Sequence, residues 1–457
     1  MAHRNPHIKQ TRIRSPPTKG AVEKSQREPR PQAKNSSRKE ASIIAQGATL
    51  GMRSILNTPR PVGCGVNPDM IGPKPPSNFQ PPPHPSIVKP SIWEEPKMPL
   101  TRRDFAKLGS LTLAARFAPI LNAQLSQKKI GYAVIGLGRI AGHFIPGAAL
   151  TTNSQITALV SGHRDKADRI AAQNKIASNC IYNYENFDEI AHNPAVDAVY
   201  IALPNSMHAE YTIRAAKAGK HVLCEKPMST NVTEAEQMIA ACKAANVKLM
   251  IAYRCHYEPT NLKAIQMIRD GALGKVQAIE SPFGFNISPG EWRLSKKMAG
   301  GGPLFDVGIY SLNACRYLTG EEPEHISAYA SVIDHDGRFN EVEENVAWTM
   351  RFPSGVVASC TTTYGAQMPG YFKVYGSKGW LQVDNAFVYE GLHLTAEYEG
   401  KKIDELNPAR DPSHFQAEAE HFSHCVQNNL EPQSPGEEGL KDMRYITQIY
   451  KSAGITI

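Results

Sequence analysis

The stretch KIGYAVIGLGRIAG, Lys129 to Gly142, decides the fold of the first folded segment. Ile130 to Ile135 is a short apolar run typical of a buried strand. Gly136 to Ala141 then has the pattern G-x-G-x-x-A. In this pattern the first glycine permits a tight turn, the second lets the backbone approach a pyrophosphate, and the alanine lets a helix pack closely. A second apolar strand, Ile156 to Val160, follows at βαβ spacing. These features predict a Rossmann-type dinucleotide-binding domain.

The charge of the chain is unevenly distributed. The 457 residues carry a formal net charge of +8, but residues 1–97 alone hold 16 Lys+Arg and 6 Asp+Glu, an excess of +10. The remaining 360 residues therefore sum to −2. Because this part is nearly neutral, its charge gives no reason to predict a nucleic-acid partner. Its apolar content is ample for two folded domains.

Residues 1–97 also contain 17 of the 34 prolines. We predict that this segment is disordered, because it cannot bury enough apolar surface to offset the entropy lost on ordering. Two alternatives stay open. The segment is a basic arm that binds an acidic partner, or translation begins at Met98 and residues 1–97 are absent from the native protein.

Residues 98–123 have the features of an export signal. Arg102 and Arg103 precede an apolar run from Leu108 to Leu121, which resembles a twin-arginine signal with cleavage after Ala123. The run is too short for a transmembrane helix, so we predict no membrane anchor. We expect a periplasmic or exported protein, with a cytoplasmic location as the alternative if the arginine pair is fortuitous.

The eight cysteines are widely spaced and include no C-x-x-C pair. This spacing favours neither a zinc site nor a disulfide framework, and we predict no metal. Most of the cysteines are expected to be small core residues.

The end of the second strand predicts the choice of cofactor. Ser161 lies 20 residues after Ala141, where an NAD-specific unit usually carries an acidic residue for the ribose. A hydroxyl followed by Arg164 and Lys166 suits a 2′-phosphate, which favours NADP. NAD stays open, because a local shift would bring Asp165 to the ribose. Arg164 and Lys166 would otherwise be solvated residues at a helix start.

Polar motifs follow two further predicted strands of the first domain. Ala195 to Leu203 leads into Pro204 to His208, and Lys220 to Cys224 leads into Glu225-Lys226-Pro227. Parallel sheets bind ligands beyond the carboxyl ends of their strands, so we expect the site there. Helices are predicted over Ala209 to Ala218 and over Thr230 to Ala245, and a further strand is predicted over Leu249 to Ala252.

The sequence after residue 253 predicts a second domain of mixed α+β type. Alternating apolar residues predict strands with one exposed face over Val346 to Phe352, Val356 to Tyr364 and Phe372 to Tyr375. A last helix is predicted near Glu438 to Ser452. We predict a dinucleotide-binding domain over residues 124–252 and a substrate-binding and oligomerisation domain over residues 253–457.

Three residues suit the chemistry of hydride transfer. Oxidising an alcohol requires a base for the hydroxyl proton and a positive group for the developing alkoxide. Lys226 follows a strand end, and Asp306 and Tyr310 are four residues apart, which places them on one face of a helix. The alternatives are a surface lysine and an ordinary capped helix with a packed aromatic residue.

Seven motifs between residues 129 and 450 resemble the Gfo/Idh/MocA oxidoreductases, and most closely the glucose–fructose oxidoreductase type. They are LPNSMHAE, AGKHVLCEKP, YRCHYEPTN, EWRL, GGGPLFDVGIYSLN, RYLTGEEP and SPGEEG. The resemblance implies an α/β chain: a Rossmann domain followed by an α+β domain with a large, mostly antiparallel, open-faced sheet. It also implies a homo-oligomer, a dimer or tetramer formed through that sheet, and a small-molecule sugar as substrate.

The resemblance also assigns roles to the three residues. Lys226 would bind and polarise the reacting oxygen, Tyr310 would be the acid/base, and Asp306 would hold substrate hydroxyls. A phenol with a pKa near ~10 is expected to need cations such as Lys226 to ionise. Many relatives that oxidise inositols have His in place of Tyr310, so tyrosine favours the glucose–fructose type.

The cofactor contacts that the resemblance implies come from both domains. They are Gly136, Gly138, Arg139, Ile140, Ser161, Lys166, Tyr184, Ala202, Leu203, Pro204, Asn205, Met207, Glu225, Lys226, Arg254, Trp292, Arg293 and Tyr389.

Three classes of function follow. The first is an NADP-dependent oxidoreductase of sugars or polyols that oxidises an aldose to a lactone, with coupling to ketose reduction left open. The second is an exported glycosidase that uses NAD transiently, and the third is a non-catalytic sugar sensor. Lys226 and Tyr310 favour the first. The stretch SPFGFNISPG, Ser281 to Gly290, would lie near the substrate and departs from the glucose–fructose pattern, which leaves the sugar open.

Overall fold

The computed structural model describes residues 128–408 and 413–456. The predicted extension over residues 1–97 and the predicted signal over residues 98–123 lie outside these described residues. Among the helices that the structure describes, none is long and apolar enough to cross a membrane.

The first sheet has six parallel strands in the order β3-β2-β1-β4-β5-β6. The strands are β1 (Ile130–Ile135), β2 (Ser154–Val160), β3 (Ile181–Tyr182), β4 (Ala198–Ile201), β5 (His221–Glu225) and β6 (Leu249–Ala252). This order reverses between β1 and β4, which is the switch point where doubly wound folds bind dinucleotides. The predicted Rossmann domain is confirmed.

Four helices accompany this sheet: α1 (Ala141–Ala149), α2 (Arg164–Asn174), α3 (His208–Lys217) and α4 (Val232–Ala244). The turn between β1 and α1 requires Gly136. Its φ is +84°, and a Cβ there would lie 2.6 Å from the carbonyl oxygen of Ala202. The strand predicted over Ala195 to Leu203 is shorter than expected, because turns occupy both of its ends.

The second sheet has eight strands in the order β14-β13-β12-β11-β7-β10-β9-β8. Only the β7–β10 pair is parallel. The strands are β7 (Val276–Gly284), β8 (His325–Ser331), β9 (Asn345–Arg351), β10 (Val357–Thr363), β11 (Tyr371–Gly376), β12 (Gly379–Asp384), β13 (His393–Tyr398) and β14 (Lys401–Leu406).

One face of the second sheet is covered and the other is open. Helices α5 (Pro259–Arg269), α7 (Ile309–Thr319) and α9 (Gly436–Ser452) pack on the covered face, while the short helix α6 (Lys296–Ala299) lies near the first sheet's loops. Along β9, Trp348 is buried and its neighbours Ala347 and Thr349 are exposed. This alternation confirms the predicted open-faced, mostly antiparallel sheet.

The chain returns to the first sheet after the second is complete. Helix α8 (Ser413–Asn428) packs on α1 and on the first two strands. Its Phe415 and Phe422 are fully buried in the cluster that contains Tyr132 and Phe144. The C-terminal segment therefore completes the core of the dinucleotide-binding sheet.

A π-turn, Leu304–Gly308, leads directly into α7. The fully buried Glu343 carboxylate accepts hydrogen bonds from Gly302 N at 3.0 Å, Leu304 N at 3.4 Å and the Tyr450 hydroxyl at 2.6 Å. Asp306 lies in this π-turn and Tyr310 at the start of α7, so the helical segment that carries both residues is not a regular α-helix between them. Such turns recur at functional sites because they re-aim side chains.

Candidate active site

Lys226 follows β5 at the carboxyl edge of the first sheet, and its side chain is only 11% exposed. Its ammonium lies 2.6 Å from the carbonyl oxygen of Asp306 and 3.5 Å from Asp306 Oδ1. It also lies 4.5 Å from the ring centroid of Tyr310. The structure thus brings the three predicted catalytic residues together around one positive charge.

The Asp306 carboxylate is held by three groups. Besides Lys226, Arg293 Nε lies 2.9 Å from Oδ2, and the hydroxyl of Tyr364 donates to the same oxygen at 2.9 Å. Burial opposes the ionisation of Asp306, but Arg293, Lys226 and the Tyr364 hydroxyl outweigh it and lower its pKa. The carboxylate is therefore negative at neutral pH.

The Tyr310 hydroxyl faces a different cation from the one expected. Arg254 Nη2 donates to the phenol oxygen at 3.4 Å, whereas Lys226 lies over the ring face. Burial raises the pKa of Tyr310, and the charge of Arg254 opposes that rise. The prediction that Lys226 is the cation that helps the phenol ionise is corrected, because the guanidinium is the group at the oxygen.

Arg254 is a buried anchor at the end of β6. Its guanidinium donates to the carbonyl oxygens of Phe387 at 2.5 Å and Val388 at 3.1 Å. It also lies 4.5 Å from the ring centroid of Tyr389, which stacks on His143 at 4.2 Å. These contacts join the start of α1 to the segment after β12 and place Arg254 beside Tyr389.

Glu225 lies on the other side of Lys226. Its Oε1 accepts from the Tyr200 hydroxyl at 2.5 Å and its Oε2 from Lys226 N at 3.2 Å. Burial raises the pKa of Glu225, and Tyr200 and Lys226 oppose the rise.

The loop of residues 202–207 is fixed by a histidine that the sequence reasoning missed. The buried His208 ring places one nitrogen 2.9 Å from the Leu203 carbonyl oxygen and the other 2.8 Å from that of Pro227. Asn205 Nδ2 donates to the carbonyl oxygen of Ala299 at 2.8 Å. Ala202, Pro204 and Met207 belong to this loop. The sequence signal that could have indicated this role is a histidine directly after the loop that ends a strand.

The residues at the nucleotide end fit a dinucleotide phosphate. No side chain of the described residues caps the start of α1, and space remains around Gly138. Uncapped helix N-termini favour anions. The neighbouring Arg139 is exposed and pairs with Glu291 at 3.2 Å, and Ile140 precedes the helix.

The residues after β2 fit a 2′-phosphate. The Ser161 hydroxyl accepts from His163 N at 3.0 Å, and Lys166 has no ion pair among the described residues. The Asp165 carboxylate lies 3.6 Å from Arg169 on the helix surface, and Arg164 pairs with Asp168. The Tyr184 ring lies against Gly162 beside this group. Asp165 and Arg164 therefore both have partners within α2.

Trp292 and Arg293 approach the site from the second domain. Arg293 lies over the Trp292 ring, 4.6 Å from its centroid, and reaches Asp306. Glu291 accepts from Arg139 and lies 3.5 Å from Arg293, so it joins the glycine turn to this segment.

A buried cation, a phenol and a carboxylate meet beyond the carboxyl end of β5, one strand away from the switch point of the Rossmann sheet, and this arrangement suits a dinucleotide-dependent oxidoreductase. Residues 130–253 match the family model described as an oxidoreductase family with an NAD-binding Rossmann fold, and residues 261–382 match the GFO/IDH/MocA C-terminal domain. The chain belongs to the Gfo/Idh/MocA oxidoreductase family.

The chain is similar to proteins named as a xylose dehydrogenase, an aldose-aldose oxidoreductase and a 3-ketoreductase. D-xylose 1-dehydrogenase [NADP(+)] from Haloarcula marismortui is 32% identical over 71% of this chain and 91% of that protein. The crystal structure of aldose-aldose oxidoreductase from Caulobacter crescentus, complexed with glycerol, is 44% identical, with a TM-score of 0.69 over 72% of this chain and 98% of that one. A 3-ketoreductase from Actinomadura kijaniata, in complex with NADP and TDP-benzene, shares the fold at 24% identity and a TM-score of 0.64, over 71% of this chain and 98% of that one.

Proposed function

We propose that this protein is an NADP-dependent sugar oxidoreductase that oxidises an aldose at a CH–OH carbon. The observation that carries the proposal is the convergence of Lys226, Asp306 and Tyr310 at the carboxyl edge of the first sheet. The names of the xylose dehydrogenase and the aldose-aldose oxidoreductase support an aldose as substrate.

Each of the three residues has a separate task in the proposed reaction. The bound nicotinamide supplies the hydride acceptor. Arg254 stabilises the phenolate form of Tyr310, and this phenolate takes the proton of the reacting hydroxyl and becomes the neutral phenol. Lys226 stabilises the charge developing on the substrate oxygen, while Asp306 holds the ammonium in place.

The preference for NADP rests on Ser161 and Lys166. Lys166→Ala should raise the dissociation constant for NADP roughly tenfold, the worth of one charge-assisted hydrogen bond, and leave that for NAD unchanged. Lys217→Ala, which removes an exposed lysine from α3, is the matched control. The test is a fluorescence titration of apo-protein with both dinucleotides. Equal weakening of both would refute the phosphate contact.

We propose that the oxidised product is a lactone and that a second sugar, such as a ketose, reoxidises the reduced cofactor. Rapid mixing with an aldose should reduce bound cofactor, and a ketose should then reoxidise it. Release of an aglycone from a glycoside without net cofactor reduction would instead favour the glycosidase.

We also propose export through the twin-arginine motif and assembly into a homo-oligomer through the open face of the second sheet. Replacing both Arg102 and Arg103 by Lys should keep the protein in the cytoplasm. Undiminished periplasmic protein would contradict export by this route.

A further inference from the structure

One donor to Asp306 comes from outside the predicted trio. Tyr364 directly follows β10 and is fully buried, and its hydroxyl donates to Asp306 Oδ2 at 2.9 Å. Burial, and then the charge of Asp306, raise the pKa of Tyr364. The phenol therefore stays protonated and acts as a permanent donor to the carboxylate.

The backbone and ring of Tyr364 hold the loop of residues 285–290, which follows β7. Ile287 N donates to the Tyr364 carbonyl oxygen at 2.9 Å, and Phe285 N donates to that of Thr363 at 3.0 Å. The Phe285 ring packs edge-on against Tyr364, with centroids 5.1 Å apart. Tyr364 and Ile287 share one small apolar cluster with Val307, the residue after Asp306.

Arg338 fastens the same loop from its other side. Its Nη1 donates to Asn286 Oδ1 at 2.7 Å and to the Ile287 carbonyl oxygen at 2.9 Å. Asp334 and Asp336 each bind the guanidinium at 2.7 Å, so Arg338 is itself fixed. The loop therefore has a rigid outer support, and Tyr364 joins it to the carboxylate.

We propose that Tyr364 is a positioning residue whose hydroxyl fixes the Asp306 carboxylate toward Lys226 and whose ring and backbone couple that carboxylate to the 285–290 loop. The coupling rests on the proposed function and on the expectation from the sequence that this loop borders the sugar. A sugar that displaces the loop then also displaces Asp306. Tyr364 thereby contributes to the choice among sugars without contacting them.

The first test is Tyr364→Phe, which keeps the ring and removes only the hydroxyl. Loss of a charge-assisted hydrogen bond should raise the titration midpoint of Asp306 by about one to two pH units. Turnover should fall roughly tenfold or more. Tyr253→Phe is the control, because it likewise removes a tyrosine hydroxyl that donates to a buried carboxylate, at 2.7 Å, but that carboxylate belongs to Asp442 and not to Asp306.

The midpoint is measured by NMR of protein with ¹³C-labelled aspartate carboxyls, with Asp306→Asn assigning the signal. An unmoved midpoint in Tyr364→Phe would overturn the positioning role. This readout does not require turnover. A protein that oxidises no sugar but shows the shift would refute the proposed function and leave the hold of Tyr364 on Asp306 intact.

A double-mutant cycle tests the coupling to the loop. Arg338→Ala loosens the loop and should move the Asp306 midpoint in the otherwise unchanged protein, but not in the Tyr364→Phe background. Phe285→Leu keeps the hydroxyl and should move the midpoint in the same direction by less, which gives a reading even if Tyr364→Phe does not fold. Additive shifts, or no shift in Arg338→Ala and Phe285→Leu, would contradict the coupling.

Discussion

At the scale of single residues, the environment of the Tyr310 hydroxyl determines what it can do. Burial favours the protonated phenol, and the Arg254 guanidinium at 3.4 Å is the group placed to stabilise the phenolate. Only the phenolate can accept a substrate proton, so Tyr310 can act as the base only while that cation is present. This makes Arg254 as important to the proposed acid/base step as Lys226.

Tyr310→Phe should lower turnover by ~10²–10⁴, the usual worth of a positioned acid/base, and barely change the affinity for NADP. The matched control is Tyr317→Phe on the same helix, because the buried Tyr317 hydroxyl has no hydrogen-bond partner among the described residues. The measurement is the stopped-flow rate of each half-reaction, the reduction of bound cofactor by an aldose and its reoxidation by a ketose. Near-normal rates in Tyr310→Phe would show that another group moves the proton.

The residues that the sequence alone could supply are those in contiguous motifs. Lys226 could be predicted because it follows an apolar strand, and Ser161 could be predicted from its distance to the glycine turn. The role of Tyr364 could not be predicted, since Tyr364 lies 58 residues from Asp306 and looks like an ordinary strand residue. The contact between Arg254 and Tyr310 likewise depends on how two loops meet in space.

At the scale of elements, the turn before α7 depends on glycines that admit no side chain. A Cβ on Gly302 would lie 2.5 Å from the carbonyl oxygen of Glu343, the residue that caps this turn. Gly302→Ala should therefore destabilise the fold by about 1–3 kcal/mol, as overpacking does. Thermal unfolding measures it. Gly142→Ala, where nothing lies within 4 Å, is the control and should not destabilise; equal losses would contradict the steric account.

Helix α8 carries a buried acid that makes stability depend on pH. Glu418 is fully buried, and neither carboxyl oxygen has a hydrogen-bond partner among the described residues. Burial, and then Glu225, raise its pKa, while Arg254 opposes the rise. A folded-state pKa above the unfolded value gives stability that is present at low pH and lost as pH rises.

Glu418→Gln removes this titration, so the variant should unfold at a higher temperature than the unchanged protein at about pH 8. The gain should be on the order of 1 kcal/mol and should shrink toward about pH 4, where both side chains are neutral. Calorimetry at several pH values measures it. A difference that is constant with pH would show that Glu418 is not the titrating group.

Element types were predictable wherever a local pattern decides them. Apolar runs predicted the strands β1, β5 and β6 of the six-stranded sheet, and alternating apolar residues predicted the strand β9 of the open-faced sheet. The π-turn at Leu304–Gly308 has no such pattern, because it depends on Glu343 and Tyr450 from distant segments. The return of α8 to the first sheet also depends on tertiary packing alone.

At the scale of the whole molecule, the open face of the second sheet is the surface proposed for assembly. Ala347 and Thr349 on β9 and Ser359 on β10 are exposed small residues of this face, which permit close approach of a second copy. Ala347→Arg should shift the protein toward monomer, seen by sedimentation. Lys217→Arg, on the far α3, should not. A variant that keeps the oligomeric state of the unchanged protein would place the interface elsewhere.

One buried ammonium, that of Lys226, is central to the proposed NADP-dependent oxidation of aldoses. The direct measurement is the nicotinamide absorbance of purified protein mixed with NADP and D-xylose, in the unchanged protein and in Lys226→Ala. We expect the unchanged protein to reduce NADP, and we expect the rate to fall by ~10² or more in the variant, with NADP still bound. Reduction at equal rates in both proteins, or no reduction with any aldose, would contradict it.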